Sequence, residues 1–257
     1  MFVPQVAEQF QKAGINALVY DPRTLGDSDG LPRNEIDPMK QMSDYSDALT
    51  FLLTQSTVDP NRIAFWGMSF SATIALCAAS LDKRAKLCIA VCPLDNVEFT
   101  PEKLPRVLLK SMLDRQSQLS GNESVYLPVL TQDGRNPAGM NLNAGKDELE
   151  YMINAKSRGA PNHENRTTLQ TYYKMAAWQP RGIMKFITTP VFMIIPELDT
   201  ISLPADQLSL FETFPKPGKV HIASGKGHLN VLSGDQFPIL MEIQAGFLRD
   251  GFENRLA

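Results

Sequence analysis

The sequence predicts an α/β fold, in which helices cover both faces of a parallel sheet. Short apolar runs of strand length recur along the chain, and stretches with helical spacing of apolar residues separate most of them. One of these runs leads through Gly67 and Ser69 directly into a helix of small residues. Apolar strands joined by helices pair in parallel through right-handed crossovers. The 257 residues are enough for one such domain with a large core.

The predicted elements can be placed in chain order. Helices are expected to begin near Pro4, at Pro38, after Ser69 and at Phe237, where apolar residues recur at helical spacing. The predicted strands are, in order, INALVYD, RIAFW, AKLCIAVC, TPVFMII and GKVHIA. Each is a short apolar run bounded by turn residues, as expected for strands that are buried on both faces.

The alternation of strand and helix stops between about Asp95 and Ile187. This segment carries three helical patterns, KLPRVLLKSMLDRQ, KDELEYMINAKS and TLQTYYKMAAW, separated by loops rich in Gly, Asn and Pro. We interpret it as a helical cap of about 95–187 inserted into a core formed by 1–94 and 188–257. Its apolar side chains are expected either to line a substrate pocket or to form the core of the cap, and the candidates for substrate binding are Met112, Tyr172 and Trp178, together with Met68.

Composition excludes several classes of function. Hydrophobic residues make up 43%, charged residues 21%, and the formal net charge is −3, so no basic excess favours nucleic acid or an anionic membrane as a partner. No apolar run approaches the roughly 20 residues of a membrane span, and the start does not resemble a signal peptide. Cys77, Cys88 and Cys92 match no metal spacing and are predicted to be buried thiols of a reducing compartment.

Two further expectations concern location and cofactors. We expect the cytoplasm, with the peroxisome as the alternative, although the final Arg255-Leu256-Ala257 does not match a Ser-Lys-Leu address. The loop DPRTLGDSDG contains Asp21, Asp27 and Asp29, which favour turns over metal binding. No metal and no cofactor are therefore expected.

Ser69 is the strongest candidate for a catalytic residue. It is the central residue of Gly67-Met68-Ser69-Phe70-Ser71, between an apolar strand and a helix of small residues. A sharp strand-to-helix turn of this kind exposes a serine hydroxyl and requires small neighbours. The backbone N–H of Phe70 would then point toward a developing oxyanion. The alternative is an ordinary strand-to-helix turn that happens to contain a serine.

A nucleophilic serine needs a base, and the base needs an acid that orients it. Of the three histidines, His221 lies inside an apolar strand and is expected to be structural, and His163 lies in a polar loop and is expected to be solvated. His228 follows the last strand in a glycine-flanked loop and is the predicted base. Asp199 is the predicted acid, with Glu197 as the alternative. The chain order Ser, Asp, His is the order found in this type of fold.

These motifs resemble the α/β-hydrolases, and more narrowly a fungal group of polyketide transferases and hydrolases from secondary-metabolite clusters. The resemblance rests on YDPRTLGDSDGLPRNEIDPMKQMSDYSDALTFL, VDPNRIAFWGMSFSATIALCAASLDKRAK, PELDTISLP and GKGHL, which cover most of the chain outside the cap. It implies an acyl-serine enzyme that acts on a polyketide-type ester or thioester in toxin biosynthesis, with the acyl group free or bound to a carrier protein or coenzyme A. The alternative is a hydrolase-like binding protein with impaired catalysis.

The sequence departs from this family at its start. The family has three strands before the first helix, and a His-Gly loop after the third supplies an oxyanion N–H. Because Met1-Phe2-Val3-Pro4 already lies at the helix, we expect either an N-terminally truncated form or a divergent short form, and in both cases a chain that is marginally stable and weakly active. The stretch INALVY must then either pair directly with RIAFW or lie apart from it.

Overall fold

The computed structural model describes residues 3–142, 146–157 and 159–256. These residues form two units. The larger contains residues 3–19, 42–95 and 179–256, and the smaller contains residues 20–41 and 96–178.

A parallel sheet forms the centre of the larger unit. Its strands are β1 (Ala64–Met68), β2 (Leu87–Val91), β5 (Val191–Pro196) and β6 (Lys219–Ala223), in the spatial order β1-β2-β5-β6. All three neighbouring pairs are parallel. Every residue of β2 and β5 is buried, which explains why these two strands are apolar without alternation. The predicted parallel α/β sheet is confirmed.

Helices connect and cover these strands. They are α1 (Val3–Lys12), α3 (Phe70–Leu81), α7 (Pro180–Met184), α8 (Pro204–Glu212) and α9 (Phe237–Phe252), and α2 (Pro38–Leu52) belongs to this unit from residue 42 onward. Phe247 of α9 packs on Phe192 of β5, with 5.3 Å between the ring centroids. Nearly all of α3 is buried, because its alanines allow a close approach to β1 and β2.

One predicted strand is absent. INALVYD forms no strand, and Leu18 and Val19 are exposed. Within the described part of the chain β1 pairs only with β2, so the stretch lies apart from RIAFW and does not pair with it. An apolar run has strand propensity, but it forms a strand only where a neighbouring strand pairs with its backbone N–H and C=O groups.

The smaller unit contains α4 (Leu104–Leu119), α5 (Lys146–Ile153) and α6 (Leu169–Ala177), with a short antiparallel pair formed by β3 (Tyr126–Leu127) and β4 (Thr167–Thr168). Helices α4 and α6 pack on each other, and their core contains Val107, Leu169 and Tyr172. The three helical patterns predicted for the insertion therefore form helices. The assignment of about 95–187 as a cap domain stays a prediction. Among the described residues, no helix is both long and apolar enough to cross a membrane.

Candidate active site

Ser69 lies on a strained turn between β1 and α3. Its backbone has φ 57° and ψ −127°, a conformation that non-glycine residues rarely adopt. Two backbone hydrogen bonds hold this turn. The Ser69 N–H donates to the Val91 carbonyl at 2.8 Å, and the Ser69 carbonyl accepts from the Ala72 N–H at 3.0 Å. The side chain is thereby presented at the carboxyl end of the sheet. The strain is typical of a nucleophile held at a fixed position.

Gly67 is required for this turn. A Cβ atom built at this position would lie 2.3 Å from the Ser71 carbonyl oxygen and 2.5 Å from its carbonyl carbon. Ala72 and Ala75, both fully buried, extend the close contact between strand and helix. The small residues around Ser69 therefore follow from the closeness of α3 to β1.

Ser69, His228 and Asp199 form one hydrogen-bonded chain. The Ser69 hydroxyl lies 2.7 Å from His228 Nε2, and His228 Nδ1 lies 2.8 Å from Asp199 Oδ2. The sequence places these residues after β1, β6 and β5 respectively, and the carboxyl ends of neighbouring parallel strands meet at one edge of the sheet. Both His228 and Asp199 are buried, at 6% and 3% exposure. The structure thus brings together the three residues that the sequence singled out.

Asp199 is fixed by the turn that follows β5. Its Oδ1 accepts hydrogen bonds from the backbone N–H groups of Ile201 and Ser202, both at 2.9 Å, and its Oδ2 accepts one from Gln207 Nε2 at 3.1 Å. Glu197, the alternative acid, is exposed and accepts from the N–H of Gly225 instead. Asp199 is therefore the carboxylate that faces the histidine.

A third side chain, Cys92, adjoins this pair. Its Sγ and polar atoms of Asp199 and His228 all lie within 4.8 Å of one another, and all three side chains are buried. Burial opposes the charged form of the imidazole, but the Cys92 and Asp199 side chains outweigh that effect and raise the pKa of His228 to about 10. The imidazole is thus a strong proton acceptor, and the fraction able to accept a proton grows as the pH rises toward that value.

Cys92 is buried, as its sequence surroundings predict, but those surroundings do not predict its proximity to His228. Cys92 directly follows β2, just as Ser69 directly follows β1, and Asp199 comes three residues after the end of β5. The signal was therefore present, since β2 leads to the same edge of the sheet. A short-range metal-binding motif does not include this cluster, because Asp199 and His228 are more than a hundred residues from Cys92 in the chain.

A second buried carboxylate lies close to the turn after β2. Asp95 is 4% exposed, and Arg181 Nε donates to its Oδ2 at 2.6 Å. Burial raises the pKa of Asp95 above its usual value, and Arg181 only partly offsets this effect. Nearby, the N–H of Leu94 donates to the Ser69 carbonyl at 3.3 Å, which ties this segment to the strained turn.

The remaining predicted site residues lie in different surroundings. Phe70 is the first residue of α3, so its backbone N–H belongs to the N-terminal turn of a helix, where partial positive charge accumulates. Met68 ends β1 and is half-buried against the core of the larger unit. Met112 of α4 is 40% exposed.

Two predicted substrate-binding residues are buried. Tyr172 is 1% exposed, and its hydroxyl lies 3.1 Å from Asn136 Nδ2. Trp178 is 6% exposed. Tyr172 therefore fills the core between α4 and α6, as the alternative interpretation of these apolar residues expected, and the structure gives its ring no surface on which to bind a substrate.

The other two histidines and the acidic loop are not part of this hydrogen-bonded chain. His221 lies in β6, as predicted. His163 is half-buried, not solvated as expected, and burial followed by the charge of Lys156 lowers its pKa. Asp21 accepts the Asp27 N–H at 2.9 Å, which is the turn role that the sequence favoured.

The sequence of this chain is similar to a known family and to fungal enzymes. Residues 3–230 match the family model described as X-Pro dipeptidyl-peptidase (S15 family). A thiohydrolase of Eupenicillium brefeldianum is 63% identical over 251 residues, which cover 97% of this chain and 81% of that protein. The polyketide transferase claH of Penicillium crustosum is 42% identical, with coverage of 97% and 83%.

Solved structures give a consistent result. DcsB, solved in complex with its substrate analogue, superposes with a TM-score of 0.91 at 43% identity, covering 98% of this chain and 86% of DcsB. The α/β-hydrolase GrgF of Penicillium sp. sh18 gives a TM-score of 0.87 at 40% identity, with coverage of 98% and 85%.

Proposed function

This chain belongs to the X-Pro dipeptidyl-peptidase (S15) family and has the α/β-hydrolase fold, and we propose that it is a serine-dependent thioester hydrolase of fungal secondary metabolism. The observation that carries the proposal is the continuous chain of hydrogen bonds from Ser69 through His228 to Asp199, at 2.7 and 2.8 Å. The family takes its description from peptidases, but relatives with 63% and 42% identity are a thiohydrolase and a polyketide transferase. Acyl-thioester chemistry therefore has more support than peptide hydrolysis.

The proposed reaction has two halves. Ser69 Oγ attacks the carbonyl carbon of the thioester while His228 Nε2 takes the hydroxyl proton, and the Phe70 N–H stabilises the oxyanion. The carbon–sulfur bond then breaks, the thiolate leaves with the proton from His228, and an acyl-Ser69 ester remains. In the second half His228 withdraws a proton from water, which attacks the ester carbon. The bond from that carbon to Ser69 Oγ then breaks, the acid is released, and His228 returns the proton to Ser69 Oγ. Asp199 holds the imidazole with its proton on Nδ1 throughout.

Acyl transfer is the second candidate, because several relatives are named transferases. It differs only in that an alcohol, not water, attacks the acyl-serine. The substrate is a small acyl group of polyketide type, free or attached to a carrier protein or coenzyme A, and its selection is assigned to the predicted cap. Met68 ends β1, directly precedes Ser69 in the chain, and is the predicted substrate-binding residue that belongs to the same unit as the nucleophile. No nucleic-acid or membrane partner is part of the proposal.

The test is labelling of Ser69 by a fluorophosphonate probe, combined with release of thiol from a model acyl thioester. Ser69→Ala is expected to abolish labelling and to lower turnover by several orders of magnitude. Ser71→Ala, which changes an exposed serine two residues away, is the matched control and should keep both. Mass spectrometry of the product with and without an added alcohol separates hydrolysis from transfer.

A folded protein that neither reacts with the probe nor releases thiol would overturn the proposal in favour of a binding protein with impaired catalysis. The compartment is proposed to be the cytoplasm. A fluorescent fusion at the N-terminus tests this, and accumulation in peroxisomes would contradict it.

A further inference from the structure

Three ligand types that bind soft divalent cations meet beside the nucleophile. Cys92 offers a sulfur, His228 a ring nitrogen and Asp199 a carboxylate oxygen, all within 4.8 Å of one another. Zinc is bound in proteins by these three atom types, at about 2.3 Å for sulfur and about 2.0–2.2 Å for nitrogen and oxygen. We propose that Cys92, Asp199 and His228 form an inhibitory site for Zn²⁺, which competes with the proton that the triad shares. The inhibition of catalysis rests on the proposed function, whereas the binding of Zn²⁺ does not.

The charges favour a divalent cation. When a divalent cation binds, Cys92 becomes a thiolate beside the Asp199 carboxylate, and the cation pairs two negative charges that would be costly if they were buried alone. Zn²⁺ neutralises both, while the neutral imidazole supplies the third ligand. Because Cys92 is fully buried and Asp199 is 3% exposed, little solvent competes for these ligands. Ser69, which contacts His228 from the other side of the ring, is half-buried.

The surrounding residues already orient the ligands. Asp199 is held by two backbone N–H groups and by Gln207, which is itself fully buried. Cys92 is held at the end of β2 with φ 41°, and its N–H donates to the Ile194 carbonyl at 2.8 Å. Outer contacts of this kind fix metal ligands in place and strengthen binding. Tetrahedral ligand atoms lie about 3.4 Å apart, so the Nδ1–Oδ2 pair must open only slightly from its hydrogen-bond distance.

The proton balance explains why the bound ion inhibits. Zn²⁺ forms bonds to Cys92 Sγ, Asp199 Oδ2 and His228 Nδ1. The thiol proton is released to solvent, and the proton on Nδ1 moves to Nε2. His228 Nε2 then donates to Ser69 Oγ at the position where it previously accepted. The imidazole can no longer take the serine proton, and no oxidation or reduction is involved.

Cobalt makes the binding visible, because a Co²⁺–thiolate bond absorbs in the near ultraviolet and four-coordinate Co²⁺ absorbs in the visible. Titration of the purified chain with Co²⁺ should give a saturable thiolate band that Zn²⁺ displaces. Cys92→Ser should lose the band and weaken metal binding by at least about a hundredfold. Cys77→Ser is the matched control, since Cys77 is equally buried but contacts the Pro180 carbonyl, and it should keep the band.

Ser69→Ala should also keep the band, because Ser69 is not a ligand. If Cys92→Ser does not fold by circular dichroism, His228→Gln is used and should weaken Co²⁺ binding to a similar extent. The inference is wrong if the folded wild-type chain shows no thiolate band, or if the band survives in Cys92→Ser or is lost in Cys77→Ser.

Inhibition of the active site by Zn²⁺ is tested separately. Zn²⁺ should block fluorophosphonate labelling of the wild-type chain, while any labelling that Cys92→Ser retains should be insensitive to Zn²⁺. A wild-type chain that binds Co²⁺ through Cys92 but never reacts with the probe would contradict the proposed function and leave the metal site standing.

Discussion

At the scale of single residues, the candidate site depends on positions at the ends of strands. Ser69, Asp199 and His228 were predictable because each follows a strand and because serine, carboxylate and histidine suit acyl transfer in that order. Tyr172 and Trp178 were not assignable in the same way, since an aromatic residue in the predicted cap can line a pocket or fill a core with the same spacing. Only the hydrogen bond of Tyr172 to Asn136 and its burial show that it belongs to the core.

Asp95 gives a prediction on pH dependence. Its pKa is raised in the folded protein, chiefly by burial. The stability it contributes is therefore present below the unfolded pKa and is lost as the pH rises through the folded value. Asp95→Asn removes this loss, so the free energy of unfolding of the variant relative to wild type should increase as the pH rises above about 4, as measured by urea denaturation.

Asp82→Asn is the control for this experiment. The pKa of Asp82 is lowered, first by its hydrogen bond with Arg84, so its contribution is lost as the pH falls. The difference between Asp82→Asn and wild type should change with pH in the opposite direction. If both variants follow the same trend, burial does not determine the protonation of Asp95.

At the scale of elements, the junction of β1 and α3 is the most tightly constrained part of the chain. The sequence predicted it well because a glycine, a serine and a run of alanines together specify a strand, a sharp turn and a close helix. INALVYD was predicted as a strand from the same kind of apolar run, and wrongly. The two runs differ in their pairing. The strand β1, from RIAFW, pairs with β2, whereas INALVYD pairs with no strand among the described residues.

Gly67→Ala tests this constraint. The added Cβ would lie 2.3 Å from the backbone oxygen of Ser71, and backbone cannot rotate away as a side chain can. We expect a loss of about 3 kcal/mol in the free energy of unfolding, measured by urea denaturation. Gly182→Ala in α7 is the control, because its nearest heavy atom would be 3.9 Å away, and it should be neutral or stabilising by up to about 1 kcal/mol. Equal stabilities of the two variants would contradict the close approach of α3.

At the scale of the whole molecule, the sheet of the larger unit has a buried centre and two edges. Strands β2 and β5 have a neighbour on each side, whereas β1 and β6 each pair on one side within the described residues. The sequence predicted the parallel sheet, but it could not predict which strands lie at its edges, because that depends on which segments pair. On β1, the Tyr45 hydroxyl donates to the Trp66 carbonyl at 2.9 Å, so a side chain takes the place of a neighbouring strand at that carbonyl.

Backbone amides of the two edge strands should therefore exchange hydrogen faster than those of the two central strands. Local opening requires less free energy where a strand is paired on one side only, so peptides from β1 and β6 should exchange at least about tenfold faster than those from β2 and β5. Tyr45→Phe removes the hydroxyl that caps Trp66, and we expect it to speed exchange in β1 and to cost about 1 kcal/mol of stability, while β6 is unchanged. Mass spectrometry of peptic fragments measures all four strands in one experiment. If β1 is as protected as β2 in the wild-type chain, its outer edge is covered in solution, and the description of β1 as an edge strand fails.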